Sequence, residues 1–113
     1  DSFFNNIKSF EPLTIQNKAS SSYHLYVVKL KNKIIRRNFY NFMKKNKVIL
    51  NIHYISIKQH PYYKNLNIKN SDISNWIDLS ARMISLPIFF DLSNAKQKKV
   101  MLLIKKFIKQ NNL

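Results

Sequence analysis

Three histidines and five carboxylates are the side chains best suited to acid–base or metal chemistry in this 113-residue chain. The histidines are His24, His53 and His60, and the acids are Asp1, Glu11, Asp72, Asp78 and Asp91. A metal site needs several such donors brought together, and no helical His-x-x-x-His pair exists to start one. Acid–base catalysis usually needs a carboxylate pair or a His–carboxylate pair in one pocket. Five acids scattered among 20 Lys and Arg read more simply as helix caps and ion-pair partners. No metal ligand and no catalytic residue is therefore assigned. The chain has no Cys, which removes thiolate nucleophiles, disulfides and Cys-based zinc sites. It has no Gly, which removes the glycine-dependent phosphate loops and leaves Asn as the expected residue at left-handed turns.

His53 is the most unusual polar position. It stands next to Tyr54 inside the apolar run Val48 to Ile57. Two readings stay open: a half-buried histidine with a hydrogen-bonded ring, or a contact to an anionic ligand offered from a strand.

The elements that would carry these residues follow from periodicity. Residues 1–22 read as an irregular lead-in, with Glu11-Pro12 as an extended turn. Tyr23 to Leu30 is β-branched and aromatic, a mostly buried strand. Ile34 to Asn46 reads as a helix whose core stripe is Ile35, Phe39, Phe42 and Met43, ended by a turn at Asn46 or Lys47. Val48 to Ile57 reads as a second strand, which would place His53 and Tyr54 on opposite faces. Pro61 breaks regularity after His60, and 65–71 is a polar loop. A helix is expected over Asp72 to Met83, capped by Ser71 or Asp72, with Ile73, Trp76, Ile77 and Ser80 inward. A short strand, Ile84 to Pro87, leads to a last helix, Asn94 to Lys109, capped by Ser93. Its inward face is Val100, Leu103, Ile104, Phe107 and Ile108. The order β-α-β-α-β-α makes one small α+β domain, a sheet with packed helices.

The net charge of +15 suggests a polyanion partner, but Lys is spread along the whole chain. Lys, Asn and Ile, 17, 15 and 15 residues, are the products of AT-rich codons, so composition alone accounts for much of the charge. No apolar run is long enough to span a bilayer. A free-standing basic module binding RNA or another polyanion remains a separate possibility.

Three runs together resemble one family. They are Ser21-Ser22-Tyr23-His24-Leu25-Tyr26, then Asn51-Ile52-His53-Tyr54-Ile55 with His60-Pro61-Tyr62-Tyr63, and Ile84-Ser85-Leu86-Pro87-Ile88-Phe89. In order and spacing they are similar to the C-terminal part of the DegT/DnrJ/EryC1/StrS sugar-nucleotide aminotransferases. The resemblance implies an α+β small domain with a three-stranded antiparallel sheet, spanning 1–113, from a fold-type I enzyme that uses pyridoxal 5'-phosphate. It implies a parent that moves an amino group from glutamate to a keto-deoxy nucleotide sugar for bacterial glycans. Within the family the chain is most similar to enzymes aminating UDP-4-keto-6-deoxy-N-acetyl sugars for pseudaminic acid. It further implies a cytoplasmic homodimer without nucleic-acid or membrane partners. His53, Tyr54 and Tyr63 are the implied substrate contacts, and His24 and Tyr26 are implied to be structural. The Schiff-base lysine is expected in a large domain absent from this sequence, which leaves the chain inactive by itself or a non-catalytic remnant. The family usually has Gly where Lys47 and Ile49 stand, and often Pro at Ser56 and Phe90.

Overall fold

The computed structural model describes residues 2–5, 7–17, 19–54, 56–64 and 74–113. The expected caps Ser71 and Asp72, the inward Ile73 and the 65–71 loop lie outside these. The described strands are β1 (Phe10–Pro12), β2 (Tyr26–Leu30) and β3 (Met83–Leu86), and the helices are α1 (Lys33–Lys45), α2 (Pro61–Lys64), α3 (Ser74–Arg82) and α4 (Asn94–Asn111). Two 3-10 turns stand at Ser2–Phe4 and Ile57–Gln59.

The strands form one antiparallel sheet in the order β1-β2-β3. This is the expected α+β architecture, but one strand comes from a different place. Phe10–Pro12 lies in the supposed lead-in, and its Phe10 is wholly buried. Its middle residue, Glu11, stands opposite Lys29 and forms an ion pair with it. That cross-strand pairing gives a three-residue strand a fixed register. β2 begins at Tyr26, three residues later than expected, because Tyr23 is exposed with φ of 51°.

The expected strand Val48 to Ile57 does not form. Among its described residues only Asn51 joins the sheet, in an isolated bridge to Ser85. Val48 and Leu50 turn inward to the core, whereas Ile52, Tyr54 and Ile57 are exposed. The segment has strand-forming residues, but β3 is four residues long and meets it at one point.

α1 forms as its periodicity dictates. Asn32 Oδ1 accepts the Ile35 N–H at 2.9 Å, closing the first turn. Phe39 and Met43 are fully buried, with Ile35 and Phe42 packed beside them. At the far end the Val48 N–H donates to the Met43 carbonyl and the Lys47 N–H to that of Lys44, both at 3.0 Å. This double closure requires a left-handed residue after the cap, and Lys47 supplies it with φ of 59°. The expectation that Asn takes such positions holds at Asn112, with φ of 51°, and fails at Lys47 and Tyr23. Ile49, the other position where the family resemblance led one to expect Gly, has no positive φ.

α4 is capped by Ser93, whose Oγ accepts the Lys96 N–H at 3.3 Å, and buries Ile104 and Phe107. Phe10, Phe39 and Phe107 meet edge to face, at 4.9 Å for Phe10–Phe39 and 5.1 Å for Phe39–Phe107. This cluster ties β1, α1 and α4 to one core. On the sheet, Val28, Leu30, Ile84 and Leu86 face that core. Val27 and Ser85, paired across β2 and β3, therefore lie on the reverse face.

Candidate functional site

The reverse face of the sheet carries a small cavity. Leaving α1, the chain runs through Val48 and Leu50 to the Asn51 bridge, where the two backbones exchange hydrogen bonds of 2.8 and 3.2 Å with Ser85. Past that bridge the segment is free of the ladder. His53 is half-buried and Tyr54 is 76% exposed. Their rings meet at 5.2 Å with an interplanar angle of 65°. Both side chains line one cavity of about 180 Å³, with Leu25, Val27, Trp76 and Ser85 among its other walls. On a regular strand His53 and Tyr54 would diverge, so the loss of the predicted strand is what brings them together.

Two polar atoms of residues lining this cavity are buried and, among the described residues, without a hydrogen-bond partner: His53 Nε2 and Ser85 Oγ. Burying such groups unmet costs about 1–3 kcal/mol each. A neutral imidazole offers one donor and one acceptor, and the hydroxyl offers both, so the pair can serve a ligand oxygen or hydroxyl in either role. The cavity is smaller than the roughly 300 Å³ at which small-molecule sites begin. It fits one end of a ligand, not a nucleotide sugar entire.

Tyr63 is not among the cavity's lining residues. It lies on α2, 39% exposed, edge-on to Tyr62 at 5.1 Å. His24 and His60 are exposed. Tyr26 is half-buried, stacked on Phe4 with ring centroids 6.1 Å apart, and burial raises its phenol pKa above the usual 10.0. Sequence reasoning missed Ser85 and Trp76 as cavity walls. The alternation Ile84-Ser85-Leu86 was the available signal, since it puts a lone polar side chain on the face opposite the core.

Among the described residues, no three His, Asp or Glu side chains converge to hold a metal ion. No helix among them is long and apolar enough to cross a membrane. Among the described residues neither a lysine nor a carboxylate lines the His53 cavity, and those residues do not fit a pyridoxal phosphate held as a Schiff base.

Comparison with known proteins places the chain. It is 29% identical over 112 residues to the uncharacterized protein MJ1066 of Methanocaldococcus jannaschii, covering 96% of this chain and 29% of that one. Its fold is similar to that of PseC of Helicobacter pylori, an aminotransferase involved in the biosynthesis of pseudoaminic acid, with a TM-score of 0.83 at 23% identity. That likeness covers 97% of this chain and 30% of PseC. It is also similar to the aminotransferase TlmJ of Streptoalloteichus hindustanus, with a TM-score of 0.86 at 13% identity, covering 100% of this chain and 30% of TlmJ. The chain thus spans about three-tenths of the length of these relatives. The model of the DegT/DnrJ/EryC1/StrS aminotransferase family matches residues 1–105, and the chain belongs to that family.

Proposed function

We propose that this chain is the small C-terminal part of a pyridoxal-phosphate-dependent sugar aminotransferase. The parent would transfer the amino group of glutamate to a keto-deoxy nucleotide sugar of the kind aminated for bacterial glycans, with a UDP-4-keto-6-deoxy-N-acetyl sugar as the first substrate to test. Family membership supports the reaction class, and the fold shared with PseC supports the choice of sugar. The cofactor would supply the amino-group carrier and be held by the remainder of the parent, since no lysine among the described residues lines the cavity described above. The parent would act as a cytoplasmic homodimer without nucleic-acid or membrane partners.

One observation carries the assignment of the site: His53 Nε2 is buried, without a partner among the described residues, and beside Tyr54 at a cavity too small for a whole substrate. A ring nitrogen there can donate to a sugar or phosphate oxygen, and the bond strengthens when the acceptor is charged. Tyr54, largely exposed, would cover the same part of the ligand. Tyr63 would reach substrate only from outside this cavity. The contribution of these residues is binding and orientation, so their loss should act on KM more than on kcat.

The test begins with the reading frame upstream of Asp1, which should encode a domain with a cofactor lysine. The complete protein is then assayed with glutamate and the keto nucleotide sugar. H53F should raise KM about tenfold, the effect of losing one charge-assisted hydrogen bond. Amino-sugar formation with KM unchanged in H53F refutes the site, and no transamination at all refutes the reaction.

A further inference from the structure

Arginine is scarce in this chain, and its placement is not random. Of 20 basic residues, 17 are Lys and only Arg36, Arg37 and Arg82 are Arg. Arg82 is engaged by Asp78 at 2.7 Å. Arg36 and Arg37 stand side by side in α1, away from any described ion pair. With Lys33, Ile34, Tyr40 and Ile52 they line a cavity of about 270 Å³. Among the described residues, no carboxylate lines it. Arg36 Nε is buried and has no hydrogen-bond partner among the described residues.

This arrangement carries a cost within the fold. Lys33, Arg36 and Arg37 are spaced at i, i+3 and i+4, so three like charges share one helical face. They also crowd the early turns of a helix with no acid in its first turn, where cations oppose the helix dipole. AT-rich codons explain the lysines and do not explain paired arginines. What arginine adds over lysine is a planar fork of donors that matches an oxyanion. The Tyr40 hydroxyl adds a further donor at the same cavity, while Ile34 and Ile52 form its apolar walls.

We propose that Lys33, Arg36, Arg37 and Tyr40 form a binding site for a phosphate-type dianion. The anion would take the unmet Arg36 Nε–H, bridge both guanidinium groups and offset the clustered charge. The site is distinct from the His53 cavity and shares no lining residue with it. It therefore does not depend on the function proposed above.

The probe is inorganic phosphate, titrated into the 113-residue chain by calorimetry at low ionic strength, with sodium chloride of matched ionic strength as control. Saturable one-to-one binding is expected, together with a melting temperature that rises with phosphate concentration. R36Q/R37Q should weaken binding about tenfold or more, since hydrogen bonds to charged groups are lost. R37K keeps the charge and loses the fork, and should weaken it less. K109Q, at a lysine that does not line this cavity, should leave it unchanged. Because Arg37 is exposed, R37Q alone serves if circular dichroism shows the double variant to be unfolded. Uridine diphosphate in place of phosphate separates the two sources of the group: tighter binding that R36Q/R37Q removes assigns a nucleotide, and equal or weaker binding assigns free phosphate. Non-saturable binding, or binding unchanged by R36Q/R37Q and R37Q, would overturn the proposal in favour of diffuse attraction to a surface of +15.

Discussion

Replacing Lys47 with glycine should stabilise the chain. Lys47 holds φ of 59°, a left-handed conformation in which its Cβ crowds the backbone. For a residue with a Cβ that conformation costs roughly 1–2 kcal/mol. Glycine removes the crowding and gives back about 0.4–1 kcal/mol through the greater freedom of its unfolded state. The net gain is about 0.5–1 kcal/mol, or a melting temperature about 2–4 °C higher for a domain of this size. The two hydrogen bonds that close the helix, from the N–H groups of Lys47 and Val48, use backbone atoms alone and survive the change. I49G is the control. Ile49 has no positive φ and is 84% exposed. Glycine there relieves no crowding and should destabilise by about 0.5–1 kcal/mol. Urea unfolding of both variants reads the difference as opposite shifts of midpoint at constant slope. A K47G protein no more stable than the parent chain would refute the claim that this turn stores backbone strain.

Four further outcomes are expected. N32A should lose about 1 kcal/mol in urea unfolding, because Asn32 Oδ1 accepts the Ile35 N–H at the start of α1; an unchanged midpoint would remove the cap from the account. F39A should cost about 3–5 kcal/mol, since Phe39 is fully buried between Phe10 and Phe107. Loss of the cooperative thermal transition is one form of that result, and a shift under 1 kcal/mol would contradict the described core. Burial raises the Tyr26 pKa, so its neutral form stabilises the fold fully below pH 10.0 and that contribution drains away above it, as the unfolded phenol ionises first. Unfolding midpoints at pH 9 and 11 should therefore fall more in the parent chain than in Y26F, and equal falls would sink the point. Finally, the exposed Ile49, Tyr54, Tyr62 and Phe90 should bind an apolar dye and promote self-association. A dye-silent monomer would mean that this surface is not normally covered.

Much of the fold was readable because helices announce themselves locally. α1 and α4 each carry a 3.6-residue apolar stripe, and both stripes and the Ser93 cap sit where the residues placed them, while the Asn32 cap of α1 emerges only in the structure. Strands depend on partners that sequence does not display. β1 is three residues long, and its pairing is decided by β2, well down the chain. Val48 to Ile57 has the residues of a strand, but β3 meets it only at Ser85. The site was half legible for the same reason. His53 stood out as a polar ring in an apolar run, yet its shared cavity with Tyr54 and Ser85 depends on the chain leaving the ladder after Asn51. The turn after α1 was legible as falling at Asn46 or Lys47, but that Lys47 takes the left-handed position, against the expectation of Asn, follows from the double closure in the structure.

The strand edges bear on how molecules of this chain can meet. β1 ends after three residues at Pro12, whose nitrogen has no hydrogen to donate. On the opposite side, the outward backbone of β3 is already engaged at Ser85 by Asn51. Neither border offers a long row of open donors and acceptors as a template for another strand. Contact between molecules should therefore run through exposed side chains, loosen on dilution and not grow into cross-β fibres.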